Sequence, residues 1–369
     1  MSTPTSSASS ITIEQVLVPE TVDADDARSF LDMVELRNTV VTHLYGRDEF
    51  ELDAATLLPG YQHSEYDRRL AFLVRQGGVA VARFVLDLPL TEDTHVAMVQ
   101  LEVHPEFRSR GFGAIASAAA EHAARVAGRT EMRTWVVHHD VEGPRIDSPT
   151  GAGSVAANDV AARMLVSRGY ELGQAVRFNV LELDARNDPT LLEIRERARA
   201  AAGNDYAYVS WNFPTPDEFV DKYAAIKARM STDAPQGELE EAPQEWDAAR
   251  IRDVVEAPAL EAERRVLVGA IQHVPSGELV AYNELFCNRE GTGPTDQEDT
   301  LVLREHRGHK LGLLVKAENL VQWRHIAPES PRAYTYNAEE NAAMIHVNEQ
   351  LGYRVFLREG AWKKSLERR

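Results

Sequence analysis

Leu101-Glu-Val-His-Pro-Glu-Phe-Arg-Ser-Arg-Gly-Phe-Gly113 has a second version in the same chain, Leu301-Val-Leu-Arg-Glu-His-Arg-Gly-His-Lys-Leu-Gly312. Each stretch begins as an apolar run, turns through a basic, glycine-containing loop, and enters a segment of helix formers. A strand that feeds free backbone N–H groups at a helix N-terminus makes an anion site, which the helix dipole favours further. Glycine lets the backbone approach phosphate oxygens without a Cβ in the way. Arg108, Arg110 and Arg307 add positive charge where a pyrophosphate would sit.

The flanks repeat as well. Asn158 stands eleven residues before Gly169-Tyr170, and Asn341 stands eleven before Gly352-Tyr353. From the loop arginine to that tyrosine is 62 residues in the first copy and 46 in the second, the excess falling in the Gly/Pro/Ser-rich stretch Val141 to Val155. Arg108-x-x-Gly111-x-Gly113 resembles the acyl-CoA signature of the GCN5-related N-acetyltransferases, the GNAT superfamily. Arg307-x-x-Lys310-x-Gly312 is the same pattern with lysine at the middle glycine. The resemblance implies an α/β fold with a mixed sheet, repeated as two tandem GNAT units. The two-domain layout is similar to that of the mycothiol synthases. Expected boundaries are a polar tail over 1–10, one unit over 11–184, a linker helix over 185–203 and a second unit over 204–369.

Composition agrees with a large globular chain. Its 369 residues suffice for two cores, and 44% hydrophobic with 27% charged residues is ordinary for a folded protein. A net charge of −18 argues against nucleic acid or an anionic membrane as partner. The single cysteine, Cys287, permits no internal disulfide. No apolar run reaches the ~18 residues of a spanning helix, and the N-terminus lacks a signal peptide's basic start and apolar core, so a cytoplasmic location is expected. The expected assembly is a monomer or homodimer.

In the resembled family a splay between two central strands admits the pantetheine arm, and an amine attacks the thioester directly in a ternary complex. The resemblance therefore assigns acetyl-CoA, or another acyl-CoA, to two sets of residues. The first is Leu101, Val103, Arg108, Ser109, Arg110, Gly111, Phe112, Gly113 and Asn158. The second is Leu301, Val302, Leu303, Arg307, Gly308, His309, Lys310, Leu311, Gly312 and Asn341. Lys310 places a Cβ in a spot expected to be crowded, so the first loop is expected to bind more tightly.

The chemistry needs a base to keep the amine neutral and donors for the developing oxyanion. Glu102 shares a strand face with Gln100 and is the first candidate base, its bland alternative being an exposed strand carboxylate. Asp299 and Glu284 are weaker candidates. The family's late-helix tyrosine, which protonates the leaving thiolate, is replaced by Leu165 and Asn348, leaving Asn348, Tyr336 or His346 to assist. The histidines at 138, 139, 306 and 309 have no third ligand at metal spacing, and no metal is expected. The expected function is acetyl transfer to a primary amine of a small molecule. A non-catalytic acyl-CoA-binding regulator and a protein-lysine acetyltransferase are the alternatives.

Overall fold

The computed structural model describes residues 10–62, 64–239 and 241–367. The expected polar tail lies outside them except for Ser10. The chain divides into two compact units, one holding residues up to Met132 together with those from Ser365, the other Arg133–Lys364.

The first unit holds β1 (Ile11–Gln15), α1 (Arg28–Tyr45), β2 (Asp67–Gln76), β3 (Val79–Pro89), β4 (Val96–Val103) and α2 (Phe112–Val126). Its strands form an antiparallel meander in chain order. The β2–β3 hairpin closes at Gln76↔Val79, and Gly77 and Gly78 both take the positive φ that a two-residue turn demands. Helix α1 begins at Arg28, and Asp23, Asp25 and Asp26 before it lie in turns. Its Phe30, Met33 and Val34 bury against Leu73 and Val85 of the sheet. In α2 the buried stripe is Phe112, Ala116, Ala120 and Ala124, one residue per turn. Three methyl side chains in succession let the helix axis come close to β3 and β4.

The second unit holds β5 (Glu131–His138) from Arg133 on, α3 (Val160–Ser167), β6 (Glu171–Glu182), α4 (Asp188–Ala202), β7 (Tyr206–Trp211), α5 (Asp217–Ala228), β8 (Arg265–His273), β9 (Leu279–Cys287), β10 (Thr295–Val302), α6 (Leu311–Ile326), β11 (Arg332–Ala338), α7 (Ala342–Leu351) and β12 (Arg354–Ser365) as far as Lys364. Its sheet runs β5-β12-β6-β11-β10-β9-β8-β7. β10 and β11 pair parallel, whereas β7 through β10, and β11, β6 and β12, pair antiparallel. The closing strands of the two sequence repeats have changed places. β12 ends the second repeat yet lies between β5 and β6 of the first, and β6 ends the first yet lies beside β11 of the second.

Both faces of this sheet are covered. On β8, Val266, Val268 and Ala270 join the core under α5, while Leu267 and Ile271 join the core under α6, as strand alternation requires. The segment expected as a linker forms α4, and its Ile194, Ala198 and Ala202 belong to the same core as α6. Residues Leu311 to Leu320 of α6 are all buried, so the polar ones must find partners inside. Glu318 takes the guanidinium of Arg199. Asn319 accepts from the Tyr208 hydroxyl at 2.6 Å and donates to Asn283. Lys316 is the third.

Candidate active site

The two basic loops fold alike. In the first, a 3-10 turn at Pro105–Phe107 leads to an extended Arg108, left-handed Ser109 (φ 61°) and left-handed Gly111 (φ 90°), and α2 starts without a side-chain cap. In the second, the turn is Arg304–His306, Arg307 is extended, Gly308 (φ 91°) and Lys310 (φ 59°) are left-handed, and α6 starts uncapped. Each loop arginine donates through Nε to the carbonyl five residues back: Arg108 to Val103 at 3.3 Å, Arg307 to Val302 at 3.1 Å. Two left-handed residues ahead of a bare helix N-terminus turn successive N–H groups toward one point, a nest for an anion. At Gly111, which stands where Lys310 does in the second loop, an added Cβ meets no protein atom within 4 Å. The lysine bears only the backbone strain of its left-handed conformation, about 1–2 kcal/mol.

Above the second loop the sheet opens. β10 and β11 pair only at Thr295↔Ala333 and Asp296↔Tyr334. Beyond these, β10 follows β9 to Val302↔Ala281, while β11 follows β6 to Ala338↔Val176. A bulge accompanies the divergence: from Leu285↔Gln297 to Asn283↔Thr300, β9 moves two residues and β10 three. The extra residue lies at Glu298–Asp299.

Two adjoining cavities fill the wedge. One, of about 620 Å³, is lined by Gln297, Glu298, Asp299, Tyr336, Asn337 and Glu359 among others. The other, of about 380 Å³, is lined by Leu301, Val302, Arg307, Gly308, Lys310, Leu311, Gly312, Asn341 and His346 among others, so it ends on the basic loop. Thr300, Asn341 and Met344 border both. Asn341 also caps α7, accepting from the Met344 N–H at 3.2 Å. Leu303 and His309 are not among the lining residues of this second cavity.

The carboxylates differ sharply. Glu298 is open to the cleft and makes no hydrogen bond among the described residues. Desolvation, then the negative charges of Asp296, Asp299 and Glu284, push its carboxyl up to about 7, and its exposure to solvent tempers that push. Glu359, from β12, is only 7% exposed, and burial alone lifts it to about 7. Asp299 instead accepts from Lys227 at 2.9 Å and from the Tyr282 hydroxyl at 3.0 Å. Against the pull of burial, these contacts hold it below the ordinary carboxylate value. Glu284 is buried on β9 against Lys227 and Tyr223, and its desolvation raises its pKa.

The remaining sequence candidates fall in other settings. Glu102, in the first unit, is engaged by the buried guanidinium of Arg83, which also reaches the Tyr61 hydroxyl at 3.4 Å. Leu101 and Val103 pair with Phe84 and Ala82. Asn158 donates to the Glu142 carbonyl, and its neighbour Asp159 caps α3 and bonds His138 at 2.9 Å. Tyr336 is half exposed at the cleft and stacks on Phe178. Asn348 is buried, 2% exposed, and does not line either cavity. Sequence reasoning passed over Glu298, Glu359 and Lys316. Lys316 alone left a trace, as a charge inside the apolar run Leu-Gly-Leu-Leu-Val-Lys-Ala.

Residues 32–143 match the acetyltransferase (GNAT) family model. Among solved structures, the chain superposes on a tandem GNAT protein from the clavulanic acid biosynthesis pathway with a TM-score of 0.69. Identity is 24%, covering 97% of this chain and 100% of that one. The fold is tandem GNAT. A GCN5-related N-acetyltransferase from Sphaerobacter thermophilus follows at TM-score 0.61 and 14% identity, covering 97% and 96%. Saccharomyces cerevisiae N-myristoyltransferase with bound myristoyl-CoA gives 0.57 at 10% identity, covering 100% and 85%. A comparison with curated protein sequences finds no significant match. Within the tandem GNAT fold, the diverging β10 and β11 are the central strands of the second repeat. Among the described residues, no helix is long and apolar enough to cross a membrane, and no cluster of three metal-ligating side chains occurs.

Proposed function

We propose that the second unit binds acyl-CoA in the β10–β11 wedge and transfers its acyl group, acetyl in the simplest case, to a primary amine of a small molecule. The observation that carries this reading is the continuity of the wedge. A basic, uncapped helix N-terminus at one end connects through an apolar channel to carboxyls poised near neutrality at the other. The N–H groups at the start of α6, with Lys310, would hold the pyrophosphate. Leu301, Val302 and Val347 would flank the pantetheine arm.

An acyl-CoA supplies the thioester. The acceptor reaches the cleft as an ammonium ion, and Glu298 takes its proton, a task suited to a carboxyl titrating near 7. The N–C bond then forms as the C–S bond breaks, with the electron pair leaving on sulfur; the second proton on the new amide nitrogen passes to the thiolate, giving the amide and the free CoA thiol. Holding both partners in one wedge is itself worth several kcal/mol of barrier. Glu102 is less suited to the role, because Arg83 already occupies its carboxylate.

Calorimetric titration of the full chain with acetyl-CoA tests the assignment. Lys310→Glu puts an anion at the helix N-terminus and should weaken binding at least tenfold through lost and reversed charge. Arg110→Glu, a charge reversal in the first loop, should leave that site intact. The opposite pattern would move the cofactor to the first unit, and binding with no amine-dependent thiol release would favour the regulator.

A further inference from the structure

Lys316 has no surface role. It is fully buried on α6, and the groups around its Nζ are Asn348 Oδ1 at 2.5 Å, Met344 Sδ at 3.9 Å and the Tyr353 ring at 5.5 Å. None of them carries a charge. Asn348 Nδ2 donates onward to Asn337 Oδ1 at 2.5 Å. Asn179 Nδ2 donates to that same oxygen at 3.1 Å.

The orientation of these amides follows from what each group can do. An ammonium can only donate, so Asn348 must turn its oxygen to Lys316 and its NH2 to Asn337. Asn179 is fixed independently, because its NH2 also faces the Arg177 carbonyl at 3.4 Å. Asn337 Oδ1 therefore receives two donors. Its own Nδ2 has no partner among the described residues, although the residue is only 9% exposed and borders the larger cavity. With Oδ1 committed to two donors, the Nδ2 hydrogens are the part of this carboxamide left to donate into the cavity.

We propose that Lys316 is a positioning residue: through Asn348 it holds the Asn337 carboxamide with Nδ2 directed into the cleft, where it donates to the thioester carbonyl oxygen as that oxygen gains negative charge. The proposal rests on the acyl-transfer reading of the same wedge. It places Asn348, which stands where the family has its tyrosine, behind the group that meets the reacting atoms. It also ties the donor to a titration. Burial lowers the Lys316 amine to about 7. Once neutral, the amine can accept from Asn348, the amide can turn over, and Asn337 is no longer obliged to face the cleft.

Acetyl-CoA carrying a 13C label at the thioester carbonyl provides a test that needs no acceptor. Infrared difference spectra of the full chain should show the bound carbonyl stretch shifted to lower wavenumber at pH 6. The shift should fade as pH rises through about 7, and it should be absent in Asn337→Ala and Lys316→Met while both variants still bind acetyl-CoA. Turnover with an accepted amine should fall about a hundredfold in each, as for loss of one oxyanion donor. Asn337→Ala lies at the cleft wall and carries the test by itself if Lys316→Met does not fold. An unshifted carbonyl in the wild type, or one equally shifted in Asn337→Ala, overturns the proposal. Failure of the wild type to bind acetyl-CoA would instead overturn the acyl-transfer reading.

Discussion

Replacing Glu359 by glutamine should change how the protein's stability depends on pH. The wild-type carboxyl is lifted from its ordinary 4.5 to about 7 because burial disfavours its charge and no hydrogen bond among the described residues compensates. The folded state therefore holds this proton more tightly than the unfolded chain does. Stability from this group is fully present below pH 4.5 and is lost as pH rises through 7. Linkage at 1.36 kcal/mol per pH unit makes the loss about 2.5 kcal/mol between pH 5 and pH 8. Glutamine does not titrate, so position 359 contributes the same amount at every pH in the variant, and the other titrating groups cancel between the two proteins. Its amide carries a packing and hydrogen-bond penalty of its own, but that penalty is the same at both pH values and cancels from the comparison. Urea denaturation of both proteins at pH 5 and pH 8 measures the difference. The variant's stability relative to wild type should improve by about 2.5 kcal/mol from the lower pH to the higher. A relative stability that stays constant within ~0.5 kcal/mol would show Glu359 to be ionised or partnered in the folded protein, and the burial argument would be refuted.

The other expectations concern chemistry and packing. Glu298→Gln should lower kcat/KM about a hundredfold and flatten the acidic limb of its pH profile, which in the wild type should rise through about 7 as the carboxyl loses its proton; steady-state kinetics across pH 5.5–9 checks this, and an unchanged limb would remove Glu298 as base. Gly269→Ala should destabilise the protein by about 3–5 kcal/mol, because the new Cβ would lie 1.7 Å from Asn319 Oδ1 and displace the bonds to Tyr208 and Asn283; thermal denaturation reads the loss.

Much of the fold was legible because the repeated loops are local. Arg108-Ser-Arg-Gly and Arg307-Gly-His-Lys differ in sequence, yet both place left-handed residues at the second and fourth positions and return the arginine to the preceding strand. The hairpin at Gly77-Gly78 and the alanine stripe of α2 are local in the same sense. Strand partnership is not. Nothing in Glu171–Glu182 announces that its neighbours will be β11 and β12, since a strand buried on both faces shows the same apolar run wherever it docks. The cleft suffered likewise. Glu298 reads as one acid among several in Asp-Gln-Glu-Asp, and only the bulge separates its fate from that of Asp299. Glu359 is brought to the cleft by the last strand, about sixty residues beyond Glu298, and Glu102 looks free until Arg83, on the adjacent strand, is seen to claim it.

The placement of β12 between β5 and β6 also bears on how the protein is made. The ribosome completes β5 at His138 and does not begin β12 until Arg354, more than 200 residues later. At 5–20 residues per second this interval is roughly 10–40 s, during which β5 and β6 lack the strand that will separate them. Unpaired edges of that kind recruit other chains, so the first repeat spends its early life needing shelter from its neighbours on the polysome. A gene cut at the repeat junction would yield two fragments each missing a strand held by the other. Such fragments should be insoluble apart and recover a folded sheet only when both are synthesised in the same cell.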